Sequence, residues 1–197
     1  MEHHHNQETT HNFNRKIEFL DSPDRIKAFP PKEFLKLLPM KQTDHILDLG
    51  AGTGYLAIPA AQMTEGTIYA LDMDPLMLEV IATKARDNNI ANIQLVEGSI
   101  DNIPLSAESV DIILASLVLH EVKPLSLALE QMKRVLKTDG HILCFEYEKN
   151  ENSNATDGPP MKVRIPSSTM QEELMNAGFH ITQKLMKDFA YIIIAKK

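Results

Sequence analysis

Apolar residues along this chain follow two alternating rhythms. Short runs dense in Ile, Leu, Val and Ala end at Leu49 and cover residues 67–71, 93–96, 111–115 and 142–145. Runs this short, bounded by turn residues, read as buried strands. Between them the spacing changes. Leu78, Ile81, Ala82 and Ala85 recur at i, i+3, i+4 and i+7, and Leu125, Leu129, Met132 and Leu136 form a second stripe of that kind. Each stripe is one buried face of a helix. Asp74-Pro75 predicts the N-cap and first position of the earlier helix, which ends near Asn88-Asn89, and Asp139-Gly140 predicts the close of the later one. Residues 55–62 predict one more helix. Strands alternating with helices predict right-handed crossovers and a doubly wound α/β fold, its parallel sheet covered on both faces.

The flanks differ in texture. Residues 1–14 are polar and aperiodic and predict a disordered tail. Residues 15–42 predict a helical arm, broken at Ser22-Pro23 and at Phe29-Pro30-Pro31. Pro31 suits the first turn of a helix running to about Leu38, with Phe34, Leu35 and Leu38 on one face. Preceding the first strand, this arm is either a lid over a ligand pocket or a cover for one face of the sheet. Residues 43–149 hold the alternating core. Residues 150–160 then form a polar loop ending in Gly158-Pro159-Pro160, and Ser168 with Gln171 has capping-box spacing for a helix that ends at Gly178. Residues 179–186 and 189–195 read as two strands around a turn at Lys187-Asp188. Residues 15–197 are expected to make one domain.

Candidate chemistry starts where the first strand ends. The stretch Ile-Leu-Asp-Leu-Gly-Ala-Gly-Thr-Gly, residues 46–54, drives a strand into three glycines at alternate positions and then into a helix. That is how α/β proteins make room for a nucleotide-like ligand. Asp72 closes the second strand, where a carboxylate can accept from both hydroxyls of a ribose. Nicotinamide cofactors and S-adenosylmethionine share that requirement. Dinucleotide sites space their glycines as Gly-x-Gly-x-x-Gly beneath a pyrophosphate, whereas the tighter Gly50, Gly52, Gly54 spacing suits a ligand with no phosphate, such as S-adenosylmethionine.

Composition narrows the classes. A net charge of −7 and a sequence pI near 5.6 argue against a duplex-binding surface, which needs clustered Lys and Arg. Cys144 is the one cysteine, so no intrachain disulfide forms, and it reads as a small buried hydrophobe. With no apolar N-terminal core and no apolar run approaching the ~20 residues of a membrane span, a cytoplasmic protein is expected. His3, His4 and His5 lack an ordered scaffold for a metal, and no metal site is expected.

Several stretches together are similar to the class I S-adenosylmethionine-dependent methyltransferases, in particular the small bacterial type 11 kind. Residues 46–54 resemble the family's first motif and Tyr-Ala-Leu-Asp-Met-Asp, residues 69–74, its second. Residues 98–105 with 109–113 resemble the segment around the third and fourth strands, and Arg-Val-Leu-Lys-Thr-Asp-Gly, residues 134–140, resembles the family's Arg-Val-Leu-Lys-Pro-Gly-Gly turn. The resemblance implies a Rossmann-like sheet of seven strands, the last antiparallel, and S-adenosyl-L-methionine as cofactor with S-adenosyl-L-homocysteine as product. It implies that Asp48, Gly50, Ala51 and Gly52 surround the methionyl part, Asp72 holds the ribose and Met73 packs on the adenine. Ser99 and Ile100 sit at the adenine edge, and Ala115 lines the pocket. Ser99 is a departure: the family usually has Asp there, a stronger acceptor for the adenine amino group. Arsenite methyltransferases share this core but need several cysteines.

The sulfonium of such a donor already activates its methyl, so the protein aligns the reactants, and a base is needed only where the acceptor loses a proton. His120 and Glu121 follow the fourth strand, and Glu146, Tyr147 and Glu148 end the fifth. His120 and Glu146 are the candidate catalytic residues. The plainer readings are that His120 donates to a backbone carbonyl or caps a segment, and that Glu146 pairs with Arg164. The expected acceptor is a small molecule rather than nucleic acid. A binding protein without turnover and a nicotinamide-dependent oxidoreductase are the alternatives.

Overall fold

A computed structural model describes residues 13–150, 158–187 and 189–197. Seven strands form one sheet in the order β3-β2-β1-β4-β5-β7-β6. β1 (Ile46–Leu49), β2 (Ile68–Asp72), β3 (Ile93–Glu97), β4 (Val110–Ser116) and β5 (Leu136–Tyr147) run parallel. β7 (Ala190–Lys196) is antiparallel to β5 and to β6 (His180–Lys187). The order reverses between β1 and β4, so the loops leaving their carboxyl ends diverge and open a crevice.

Both faces of the sheet are covered. On one, Leu47, Ile113 and Cys144 pack with Leu129 and Met132 of the helix Leu125–Val135 and with Leu174 of the helix Ser167–Asn176. On the other, Ile46, Leu114 and Phe145 pack with Ile81 of the helix Pro75–Asp87, with the short helix Ala57–Ala61 and with the arm. This double burial is why β1 is buried at every position and reads as a continuous apolar run. The ring centroids of Phe29 and Phe34 stand 4.9 and 4.7 Å from that of Phe145. At about 1.5–3 kcal/mol for each buried ring, they seat the arm firmly on the sheet. At the edge, β6 exposes Gln183, Lys184 and Lys187, a polar row that discourages further strand pairing.

The expected elements form, with three local differences. The helix Leu125–Val135 needs no glycine to stop, because Leu136 at its C-cap is already extended at φ −75° and ψ 132°. Asp139, at φ 65°, and Gly140 instead shape a bulge in β5, where the register steps from Val110↔Leu136 to Ile112↔His141. A Cβ on Gly140 would lie 2.6 Å from Leu136 Cδ1 and 2.9 Å from the Asp111 carbonyl oxygen, so the bulge closes only over glycine. The capping box at Ser168 does not form. The helix Ser167–Asn176 is capped from a distance, its Ser167 amide donating to the Glu148 carboxylate at 3.1 and 3.3 Å. Residues 13–20 are helical, two positions earlier than the arm was expected to start. The rest of the expected tail, residues 151–157 of the expected loop and Asp188 of the expected turn lie outside the described residues. By contrast, Asp74 caps the helix Pro75–Asp87 as expected, accepting from the Leu76 amide at 3.0 Å.

Candidate functional site

A cleft of about 640 Å³ opens at the switch point, floored by the loops after β1, β2 and β4. Its geometry begins with the glycine turn. Gly50 and Gly52 adopt φ +58° and +53°, and a Cβ on Gly50 would stand 2.4 Å from Val118 Cγ2. Only glycine lets the segment after β4 close against the loop. The Ala51 amide donates to the Leu71 carbonyl at 2.9 Å, which ties the loop to β2. Asp72 then locks it: its Oδ2 accepts from the Gly52 amide at 2.8 Å and its Oδ1 from the Asp74 amide at 2.9 Å. A carboxylate has about four acceptor positions, so two remain for a ligand in the cleft.

Two buried polar atoms here have no hydrogen-bond partner among the described residues: Asp48 Oδ2 and Ser116 Oγ, both on cleft-lining residues. A buried, unfilled acceptor calls for a donor. Burial pushes the Asp48 carboxyl up to about 7; the Ala57 amide works against that rise and the nearby Asp72 adds to it. A cationic group brought against Asp48 would reverse the rise. The prediction is a proton expelled on ligand binding near neutral pH, seen as a calorimetric enthalpy that varies with the buffer's ionisation enthalpy. The effect on folding follows from the same sign. A carboxyl that holds its proton more tightly when folded favours the folded state fully below about pH 4, and that contribution is lost as pH rises through about 7. Asp48→Asn should therefore stabilise the unliganded protein above neutral pH, by roughly 4 kcal/mol at most, and leave it near wild type at acid pH. Thermal melts across pH check this.

Beyond β4 the chain turns through Leu117 at φ 55°, a conformation that is costly for a large side chain and concentrates at functional sites. The turn brings the 3-10 segment Leu119–Glu121 back over the cleft. There Glu146, 1% exposed, organises everything around it. Its Oε1 accepts from the Leu119 amide at 2.8 Å and the His120 amide at 3.3 Å, and its Oε2 lies 2.8 Å from His120 Nδ1. A carboxylate only accepts, so Nδ1 carries the proton and Nε2 of the neutral ring holds the free lone pair. Burial acts to lower the His120 pKa, but the hydrogen bond and charge of Glu146 outweigh it and the net direction is upward. Tyr147, stacked on Phe189 at 5.4 Å between centroids, forms the adjoining wall.

The expected site residues Asp48, Gly50, Ala51, Gly52, Asp72, Met73, Ser99, Ile100 and His120 all line this one cleft. Two others stand back from it. Ala115 is wholly buried between Leu49 and Cys144 in the sheet, and the residues after it, from Ser116 to Val118, line the cleft instead. Glu146 lies behind His120 and engages it rather than the cleft. The arm serves as both lid and cover: Lys16, Phe19, Leu20 and Arg25 wall the cleft, while Phe29 and Phe34 cover the sheet. Asp21 latches the arm down, accepting from Thr53 Oγ1 at 2.7 Å and Lys84 Nζ at 2.6 Å. Spacing along the chain offers no signal for these arm contacts, because they join residues that only the fold brings together. Among the described residues no group of three or more His, Cys, Asp or Glu is placed to hold a metal ion, and no helix is long and apolar enough to cross a membrane.

The chain is similar to known proteins in sequence and in fold. A demethylmenaquinone methyltransferase of Lactobacillus johnsonii is 34% identical over 124 residues, 61% of this chain and 51% of that protein. The ubiquinone/menaquinone biosynthesis C-methyltransferase UbiE of Vibrio parahaemolyticus is 36% identical over 107 residues, 53% of this chain and 41% of that protein. The chain thus spans about half the length of the curated relatives it matches. The crystal structure of an S-adenosylmethionine-dependent methyltransferase from Aquifex aeolicus superposes with a TM-score of 0.84 at 25% identity, over 92% of this chain and 97% of that one. The [4+2]-cyclase SpnF shares the fold, with a TM-score of 0.77 at 18% identity over 86% of this chain and 80% of that one. A methyltransferase domain model matches residues 40–195, which include all seven strands and the loops that floor the cleft, so the chain belongs to the methyltransferase domain family.

Proposed function

We propose that this chain transfers the methyl group of S-adenosylmethionine to a small-molecule acceptor that gives up a proton as it is methylated. The observation that carries the reading is a single cleft holding both Asp72, a carboxylate with acceptor positions to spare, and His120, an imidazole backed by a buried carboxylate. Asp72 takes the ribose hydroxyls. Asp48 Oδ2 and Ser116 Oγ, the two unfilled polar atoms, answer the methionyl part beside Gly50, Ala51 and Gly52. Met73, Ser99 and Ile100 border the adenine. When bound, the cofactor supplies a methyl made electrophilic by its sulfonium.

What the chain adds is placement, dryness and a proton acceptor. Leu117, Val122 and Tyr147 wall the cleft near His120, an apolar, ring-bearing surface that suits a planar acceptor. The quinone-pathway names of the relatives agree with that chemistry. His120 Nε2 takes the proton, and Glu146 holds the ring by Nδ1 and stabilises the imidazolium that results. Glu146 is therefore a positioning residue. The domain spans residues 15–197, in a reducing cytoplasm where Cys144 stays a thiol.

The test is calorimetry of the full chain with S-adenosylmethionine, S-adenosylhomocysteine and reduced nicotinamide dinucleotide, followed by turnover on a panel of phenols, quinols and carbon acids. Binding of the two sulfur ligands but not the dinucleotide, with methylation of at least one acceptor, is expected. A folded protein that binds neither sulfur ligand would falsify the reading, and tight binding without turnover would leave a binding protein in its place.

A further inference from the structure

We infer that Arg25 is the carboxylate-recognising residue of this cleft. It would hold the methionyl carboxylate of the donor or a carboxylate on the acceptor, and the inference rests on the methyl-transfer reading above.

Arg25 lies on the arm helix Pro23–Ala28 and lines the cleft. Its guanidinium sits 4.5 Å over the ring of Tyr55, the residue that follows the glycine loop. Its Nη1 donates to the Leu20 carbonyl at 2.6 Å. Leu20 in turn reaches the loop, its Cδ1 lying 3.6 Å from where a Cβ on Gly52 would be. Stack and anchor together fix the plane of the guanidinium at the glycine-loop end of the cleft.

The guanidinium has five N–H donors, and this one bond uses one of them. No carboxylate stands within ion-pair distance of Arg25 among the described residues. Asp24, its neighbour in sequence, is exposed and forms no ion pair with it, and Asp21 is engaged by Lys84 and Thr53. The other cations lining the cleft are differently placed: Lys16 faces Asp74 at 3.8 Å, and Lys123 is exposed beyond the His120 segment, away from the glycine loop in the chain. A half-buried, stacked cation with donors unfilled needs an anion to complete it. In a protein of net charge −7 its presence in the cleft is not the overflow of a basic surface. A planar fork with parallel N–H bonds matches a carboxylate in particular.

The test uses the full chain, wild type and Arg25→Gln, titrated by calorimetry with S-adenosylhomocysteine and with 5′-methylthioadenosine, which lacks the amino-acid carboxylate. Both forms are also saturated with S-adenosylhomocysteine and titrated with benzoate and with benzyl alcohol. If the donor supplies the carboxylate, the variant binds S-adenosylhomocysteine about ten- to hundredfold more weakly and methylthioadenosine as wild type does. If the acceptor supplies it, S-adenosylhomocysteine affinity holds, and benzoate binding drops by a similar factor while benzyl alcohol does not change. An equal loss for both nucleosides means Arg25 only packs the arm, and no change for any probe means it meets no carboxylate; either result overturns the inference. Failure of wild type to bind any nucleoside instead removes the methyl-transfer reading itself. Should Arg25→Gln lack a wild-type melting transition, Arg25→Lys is read by the same comparisons. It keeps the charge and loses the fork, so a smaller loss with the same selectivity is expected.

Discussion

Replacing His120 with alanine is expected to lower kcat by about 10²–10⁴ while S-adenosylhomocysteine binds as it does to wild type. The range is that of a positioned general base, and the selectivity follows from where the ring stands. His120 reaches the cleft from the segment after β4, apart from the glycine loop and Asp72 that would carry donor affinity. Glu146→Gln tests the same unit from behind. The wild-type ring is held above its ordinary pKa of 6.5, despite the opposing effect of burial, by the Glu146 hydrogen bond and charge. Neutral Nε2 therefore becomes available only as pH rises past that value, and kcat/KM should climb along a basic-going limb placed above 6.5. Glutamine removes the charge, so the limb should move to lower pH while the plateau falls. A variant with the wild-type limb would show that His120 does not titrate in the reaction. A wild-type rate in His120→Ala would remove the base altogether and leave alignment as the chain's whole contribution.

Asp72→Ala is expected to weaken S-adenosylhomocysteine binding by roughly 2–4 kcal/mol, from two lost hydrogen bonds to a charged acceptor. Calorimetry measures it directly. The side chain also fastens the amides of Gly52 and Asp74, so a second effect is built in: the loop loosens. Asp72→Asn separates the two. Its amide oxygen keeps one acceptor, so a fall in melting temperature shared by both variants reports the loop, and the further affinity gap between them reports the ligand. Wild-type affinity in Asp72→Ala would mean the ribose is held elsewhere in the cleft.

Different physical signals made different parts of this molecule legible. The core strands declared themselves because burial on both faces removes polar residues from a run, as in β1 and β4. The helix Pro75–Asp87 declared itself because its cap and its stripe are local, set by Asp74, Pro75 and residues one turn apart. Local signals were less reliable where a distant group did the same work. Ser168 offered a cap, yet the carboxylate of Glu148 supplied it. Asp139-Gly140 has the composition of a helix stop, yet it shapes a bulge against Asp111.

The cleft divides in the same way. Sequence by itself determined the glycine-loop side, because a glycine turn and an acid at the end of the next strand are set by short-range backbone demands. On the other side the sequence offered His120 and Glu146 as candidates, and tertiary structure alone decided what they and the arm meet. His120 meets Glu146 across 26 residues and Asp21 meets Thr53 across 32, and Arg25 finds Tyr55 only because Phe29 and Phe34 anchor the arm on β5. No periodicity encodes such meetings. They exist because the sheet order sets β4 beside β5 and because an aromatic core pulls the arm across their ends.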